Sequence, residues 1–178
     1  DSLETSPLLT FPIMPNFLPT GYEAPKSVSF YTKIEDGDKI KLRILPSGLE
    51  DRNCITGFEY FEEMDDWKKK PKRSTTTLKH IEEKHFWAFK VYNHNPWLVQ
   101  LYSIKQKGLM KALSDLIDNE DYGDPLGYDI TISRTGKGMD TEYGLVPSPP
   151  KPLVATYEDK KINWNNWIDS EDPLSEDD

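Results

Sequence analysis

From Lys39 to Leu45 apolar and basic residues alternate, with Ile40, Leu42 and Ile44 on one side and Lys39, Lys41 and Arg43 on the other. A period of two is the mark of a strand with one buried face, and Pro46 and Gly48 end it. Cys54 to Phe61 is a second β-rich run. Phe86 to Tyr92 predicts another strand, closed by Asn93-His94-Asn95-Pro96, and Trp97 to Ser103 predicts the next. After Ser103 the period changes. Leu109, Met110, Leu113, Leu116 and Ile117 fall at helical spacing, and Ser103 and Gln106 have the spacing of a capping box. Tyr128 to Arg134 and Thr141 to Val146 flank Gly136-Lys137-Gly138, which predicts a hairpin.

Strands, one helix, then two more strands is the chain order of an OB-fold, a five-stranded Greek-key barrel with its helix between strands 3 and 4. Residues 86–92 and 97–103 would together supply a doubled third strand. A β-sandwich is the competing architecture, and a single amphipathic helix at this position favours the barrel. At 178 residues the chain predicts one domain with a proper core. Residues 1–26 hold five prolines, too many for a helix or central strand. They are expected to form an extended arm lying on the body through Phe11, Ile13, Phe17 and Leu18. The barrel is assigned to 27–161, with a basic insertion at about 62–84, and 162–178 to an acidic tail. The start at Asp1 instead of Met leaves a further N-terminal segment as an expectation.

Charge changes the picture because it is segregated. The chain carries 31 acids and 22 bases, a net charge of −9. Six acids, Asp169, Glu171, Asp172, Glu176, Asp177 and Asp178, lie in the last ten residues, which contain no Lys or Arg. Without them the acidic excess falls from nine to three. Such a block predicts a disordered tail that either solubilises the chain or serves as an interaction handle. Between Lys68 and Lys90 there are eight bases against two acids. Screening confines interactions to roughly 8 Å at physiological salt, so a local excess can hold phosphates whatever the whole-chain total. Pro71 and the run Ser74 to Thr77 predict a loop there. The single cysteine, Cys54, excludes an intramolecular disulfide and points to a reducing, cytoplasmic setting. No stretch has the apolar length of a membrane span, and no signal peptide is visible.

Lys41-Leu42-Arg43-Ile44-Leu45-Pro46, the aromatic strand His85-Phe86-Trp87-Ala88, the helix opening Ile104-Lys105-Gln106-Lys107 and the Tyr128-Asp129-Ile130 hairpin resemble bacteriophage single-stranded DNA-binding proteins of the T4 helix-destabilising type. The resemblance spans roughly residues 37–150 and rests on the order and spacing of short motifs. Lys72-Arg73-Ser74-Thr75 is also similar to the basic-then-hydroxyl motif that family uses near its DNA and tail contacts. It implies sequence-independent binding of single-stranded DNA in replication, recombination and repair, in the host cytoplasm. It also implies that the acidic tail recruits replication and recombination proteins and competes for the DNA groove. One departure is plain. That family holds a structural zinc with three cysteines and a histidine. Here Cys54, His80, His85 and His94 include no Cys-x-x-Cys pair, so no metal or other cofactor is expected.

Single-strand binding needs a basic groove along the backbone and aromatic faces for the bases. The face of a strand that carries a lysine is expected to point outward, which selects Phe86, Lys90 and Tyr92 and places Trp87 in the core. Lys41 and Arg43 join them from the first strand. Tyr60 is a further candidate, although neither face of its strand is plainly apolar. Trp67 either stacks a base or caps the barrel. The run Lys68, Lys69, Lys70, Lys72 and Arg73 would carry phosphates, and Arg134 and Lys137 either meet phosphates or are ordinary turn charges. No catalytic constellation stands out. Asp65-Asp66 and Glu82-Glu83 lie in expected loops, and Gly136-Lys137-Gly138 lacks the strand–turn–helix context of a phosphate loop. The expectation is a non-enzymatic binder, and the alternative is an OB-fold adaptor that contacts protein without nucleic acid.

Overall fold

The computed structural model describes residues 15–23, 29–64 and 69–176. Seven strands and two helices follow in the order β1 (Lys39–Ile44), β2 (Ile55–Glu63), β3 (Lys69–Ser74), β4 (Lys84–Asn93), β5 (Leu98–Ile104), α1 (Lys107–Ile117), β6 (Asp129–Thr135), β7 (Glu142–Pro147) and α2 (Trp164–Ile168). The chain is therefore mainly β. All strand pairings are antiparallel, and the sheet runs β3-β2-β4-β1-β6-β7 with β5 attached to β4. Among the described residues this path does not close on itself.

The alternation in β1 sorts the sheet into two faces. Leu42 and Ile44 share one with Phe89, Val91, Tyr102, Ile104, Ile130 and Ile132, and Leu109, Met110 and Leu113 of α1 pack onto it. This is the main core. α1 begins at Lys107 with Gln106 as its N-cap and no capping side chain. Ser103 sits inside β5, so the expected capping box does not form. The β4–β5 hairpin extends pairing through Ile104, and the ladder takes Ser103 first.

The opposite face has no helical layer over most of its width. The chain from 148 to 163 crosses it without regular structure, then ends in the short helix α2. Leu153, Ala155 and Tyr157 pack on Leu45, Tyr92 and Val99. Further on, Ile162, Trp164 and Trp167 pack on Ile55, Phe86, Ala88 and Leu101. Burying two indoles stabilises this strap by about 3 kcal/mol each. Trp164 adds a hydrogen bond from its indole Nε1 to the Ser47 carbonyl, 3.0 Å away. β4 is thus buried on both sides.

The basic insertion is a strand and not the loop expected. β3 pairs with β2 in the register Tyr60↔Lys72, Glu62↔Lys70 and Glu63↔Lys69. It ends the sheet path, and an edge strand tolerates the missing N–H of Pro71. Opposite charges across the pair favour the register. Gly57 makes the crossing with β4 possible, because a Cβ there would run into Ser74 O and come within 2.8 Å of Phe86 Cζ.

The C-terminal segment also departs from expectation. Residues 162–168 belong to the body, the Ser170 hydroxyl donates to the Pro71 carbonyl of β3, and the chain after it folds back onto α2, where the Glu171 N–H donates to the Asn166 carbonyl at 2.7 Å. The Asn163 backbone N–H donates to the carbonyl of buried Pro173. Asp169, Glu171, Asp172 and Glu176 themselves stay exposed. Phe17 and Leu18 are exposed as well. Phe11, Ile13, Trp67, Lys68, Asp177 and Asp178 lie outside the described residues. No helix among the described residues is long and apolar enough to cross a membrane.

Candidate nucleic-acid interface

Where the structure places the predicted site residues depends first on the strap. Phe86, Lys90, Tyr92 and Arg43 were expected to face outward, and all four are buried. The face is the one predicted, but the strap occupies it. The Trp167 ring meets Phe86 edge-on at 5.1 Å, and the Tyr157 ring lies 4.9 Å from Tyr92, tilted by 32°. Lys90 Nζ reaches Asp159 Oδ1 at 2.7 Å, with the lysine side chain 8% exposed and the aspartate 68%. A lysine on a strand face therefore did not mark it as open to solvent. Its stem is covered and only its ammonium reaches the rim.

Arg43 is held from three sides. Nε donates to Asp129 Oδ1 at 2.9 Å, Nη2 to the Lys151 carbonyl at 2.9 Å and Nη1 to the Leu126 carbonyl at 3.4 Å. It pins the start of the strap to β1. Asp129 is also met by His94 Nε2 at 3.0 Å and Lys41 Nζ at 3.9 Å. Burial pushes its carboxyl upward, but hydrogen bonds and charge from His94 and Arg43 outweigh this and hold it below the ordinary value. Lys41 remains exposed and can meet a ligand.

Arg73 is committed in the same way. Nε donates to Glu59 Oε2 and Nη1 to the Trp167 carbonyl, both at 2.7 Å, and the guanidinium lies 4.1 Å from the Trp167 ring centroid. Buried Glu59 sits between Arg73 and Lys105, whose Nζ is 3.0 Å away. Arg73 therefore holds the strap and is not free for a phosphate. Arg134 is likewise engaged, donating from Nη1 to the Ile34 carbonyl at 3.0 Å. Lys137 is exposed at the β6–β7 tip.

What remains accessible converges on the β2–β3 ribbon. Lys69, Lys70 and Lys72 are exposed along its edge strand. Pairing parity puts Lys70 and Lys72 on the same side as Tyr60. Tyr60 stacks flat on His80, with ring centroids 3.8 Å apart and planes within 3°. His80 is positioned by its own turn, where the Glu82 N–H donates to His80 Nδ1 at 3.0 Å, which leaves the proton of the neutral ring on Nε2. Leu78 N–H donates to Glu83 Oε2 at 2.9 Å and fixes the same turn. On the other side of the ribbon Phe61 is 50% exposed. Lys72 pairs with Glu62 at 3.6 Å across exposed surface, and Lys69 and Lys70 have no ion pair among the described residues. Such an exposed pair contributes about 0–1 kcal/mol and exchanges readily for a phosphate.

Comparison with protein-family models, curated proteins and solved structures gives no match. The site therefore rests on its own geometry. No cluster of three or more His, Cys, Asp or Glu able to hold a metal occurs among the described residues. His80, His85 and His94 are each engaged elsewhere: on Tyr60, on the Gly57 carbonyl at 2.8 Å and on Asp129.

Three features escaped sequence reasoning. The strap had a signal, since Leu153, Ala155 and Tyr157 alternate with exposed residues, and Trp164 and Trp167 are three apart. Glu59 had none, because a lone acid in a mixed strand does not announce two cationic partners. The third is Trp97, exposed on a turn that the sequence marked only as a strand end.

Proposed function

We propose that this chain binds single-stranded DNA without sequence preference, as a non-enzymatic replication, recombination and repair factor of a phage acting in the host cytoplasm. The observation that carries the reading is the β2–β3 ribbon, where Lys70 and Lys72 flank the stacked rings of Tyr60 and His80, and Lys69 and exposed Phe61 line the other side. Cations for phosphates beside flat ring faces for bases is the chemistry of sequence-tolerant single-strand binding. The finer reading of the sheet as an OB-fold barrel belongs to the same proposal, and rests on chain order and on the motifs quoted above.

The strap over residues 148–163, which leads into the acidic tail, supports a second part of the proposal. Asp159 on Lys90, Tyr157 against Tyr92 and the Lys151 carbonyl on Arg43 are contacts of the kinds a phosphate, a base and a sugar–phosphate oxygen would make. A tethered segment acts at high effective concentration, so it competes with DNA for this face. The exposed acids from Asp169 onward then serve as the handle for replication and recombination proteins.

Fluorescence titration with oligo-dT and with duplex of equal length tests the reading. Tight, salt-sensitive binding of oligo-dT over duplex supports it, and equal or tighter duplex binding removes it. One observation favours an adaptor instead. A groove of about 340 Å³ beside α1, lined by Cys54, Trp87, Phe89, Leu113 and Ile117, is largely apolar. A protein adaptor predicts no oligo-dT binding at any salt.

A further inference from the structure

We propose that a groove between residues 29–33, the start of β1 and the β4–β5 turn is a second subsite for the same strand, in which Trp97 stacks an unpaired base and Lys33 and Lys39 hold the adjoining phosphates. The inference rests on the single-strand reading above and adds residues that reading does not use. The groove has a volume of about 440 Å³, within the range of small-ligand sites, and its lining includes Tyr31, Lys33, Lys39, Asn95 and Pro96. Lys33 and Lys39 are exposed and have no ion pair among the described residues. Asp38 also lines the groove and keeps its negative charge there, its Oδ2 accepting from the Glu35 N–H at 2.8 Å. Two cations thus face one acid.

Trp97 is not part of the lining but directly follows Pro96, which is, and it is 72% exposed. Its φ is +66°, in the left-handed region that favours glycine. The turn that holds it there is tightly determined. Asn93 Oδ1 accepts from the Asn95 N–H at 3.1 Å, Asn93 Nδ2 donates to Gln100 Oε1 at 3.0 Å, and the His94 N–H donates to the Lys41 carbonyl at 3.0 Å. A glycine would satisfy this backbone without strain and without exposing an indole to water. Strain and exposure together, on a rigid turn beside a cationic groove, mark a residue kept for a ligand. A flat, sequence-tolerant ring beside two lysines fits a base and its phosphates.

The test compares wild type, Trp97→Gly, Trp97→Phe and the double variant Lys33→Ala/Lys39→Ala. Each is titrated with fluorescein-labelled oligo-dT by anisotropy over a series of salt concentrations, and thermal midpoints are recorded alongside. Trp97→Gly should weaken binding about fivefold or more, with its midpoint equal to or above that of wild type. Trp97→Phe should retain most of the affinity. The lysine double variant should flatten the log–log salt slope by about 1.4. Wild-type binding with undiminished affinity in Trp97→Gly overturns the subsite and leaves the single-strand reading standing. A lowered midpoint in Trp97→Gly overturns it too, because the indole would then be packing. Wild type that ignores oligo-dT overturns both.

Discussion

Trp167→Ala examines the cover of the second sheet face. The indole is 1% exposed and packs against Phe86 at 5.1 Å and Trp164 at 6.0 Å. Arg73 stacks on it 4.1 Å from the ring centroid. Removing a buried aromatic ring from a packed site costs about 3–5 kcal/mol. The cation–π contact adds about 1–2 kcal/mol when desolvated, part of which is already contained in the first figure. The orphaned indole N–H, buried without a hydrogen-bond partner among the described residues, works the other way. A net loss of about 3–4 kcal/mol follows, equal to a fall in thermal midpoint of roughly 10 °C for a domain of this size. Urea unfolding followed by far-UV circular dichroism reads this without depending on the altered fluorophore. If the strap alone detaches, trypsin should cut faster at exposed Lys161, so limited proteolysis runs beside it. A loss below about 1 kcal/mol with unchanged proteolysis would refute a docked strap.

The carboxyl of Asp159 is held low first by its hydrogen bond from Lys90, and that of Asp129 is also low. Both groups therefore add stability that is present above the ordinary carboxylate range near 4 and lost as pH falls through their lower folded values. Urea midpoints between pH 7 and pH 3 should show this fall, with a shallower one in Asp159→Asn. Burial pushes the Cys54 thiol up to about 11. At pH 8 its reaction with Ellman's reagent should be on the order of a hundredfold slower than in the urea-unfolded chain, and equal rates would contradict its placement. Gly57→Ala drives a methyl group into Ser74 O and the Phe86 ring. It should cost about 1–3 kcal/mol in urea unfolding, and a neutral result would contradict the β2–β4 crossing.

Much of the sheet was legible because period-two patterns survive in β1 and β6, where the sequence sets an apolar face against a polar one. β4 misled because it is covered twice. Its lysine-bearing face lies under residues that hydropathy alone leaves as an irregular, proline-rich connection. Parity correctly grouped Phe86 with Lys90 and Tyr92, but it carries no information about what lies on top. β3 read as a loop because lysines and a proline are poor strand formers, and the pairing that makes it a strand is supplied by β2. The acids of the tail were read by charge, while the docking of the segment is decided by Trp164 and Trp167. Trp97 was hidden for a different reason, since a left-handed backbone and solvent exposure are properties of the folded turn.

Single-strand binding through the β2–β3 ribbon is tested by the salt dependence of oligo-dT affinity, in wild type and in the triple variant Lys69→Ala/Lys70→Ala/Lys72→Ala. Each neutralised phosphate contributes about −0.7 to the log–log slope for a single strand. Wild type should bind oligo-dT more tightly than duplex, and the triple variant should have a slope shallower by about 2, with a thermal midpoint lowered by only a few degrees as the charge pairing between β2 and β3 is lost. Identical slopes in the two proteins, or a wild type indifferent to oligo-dT at low salt, would contradict it.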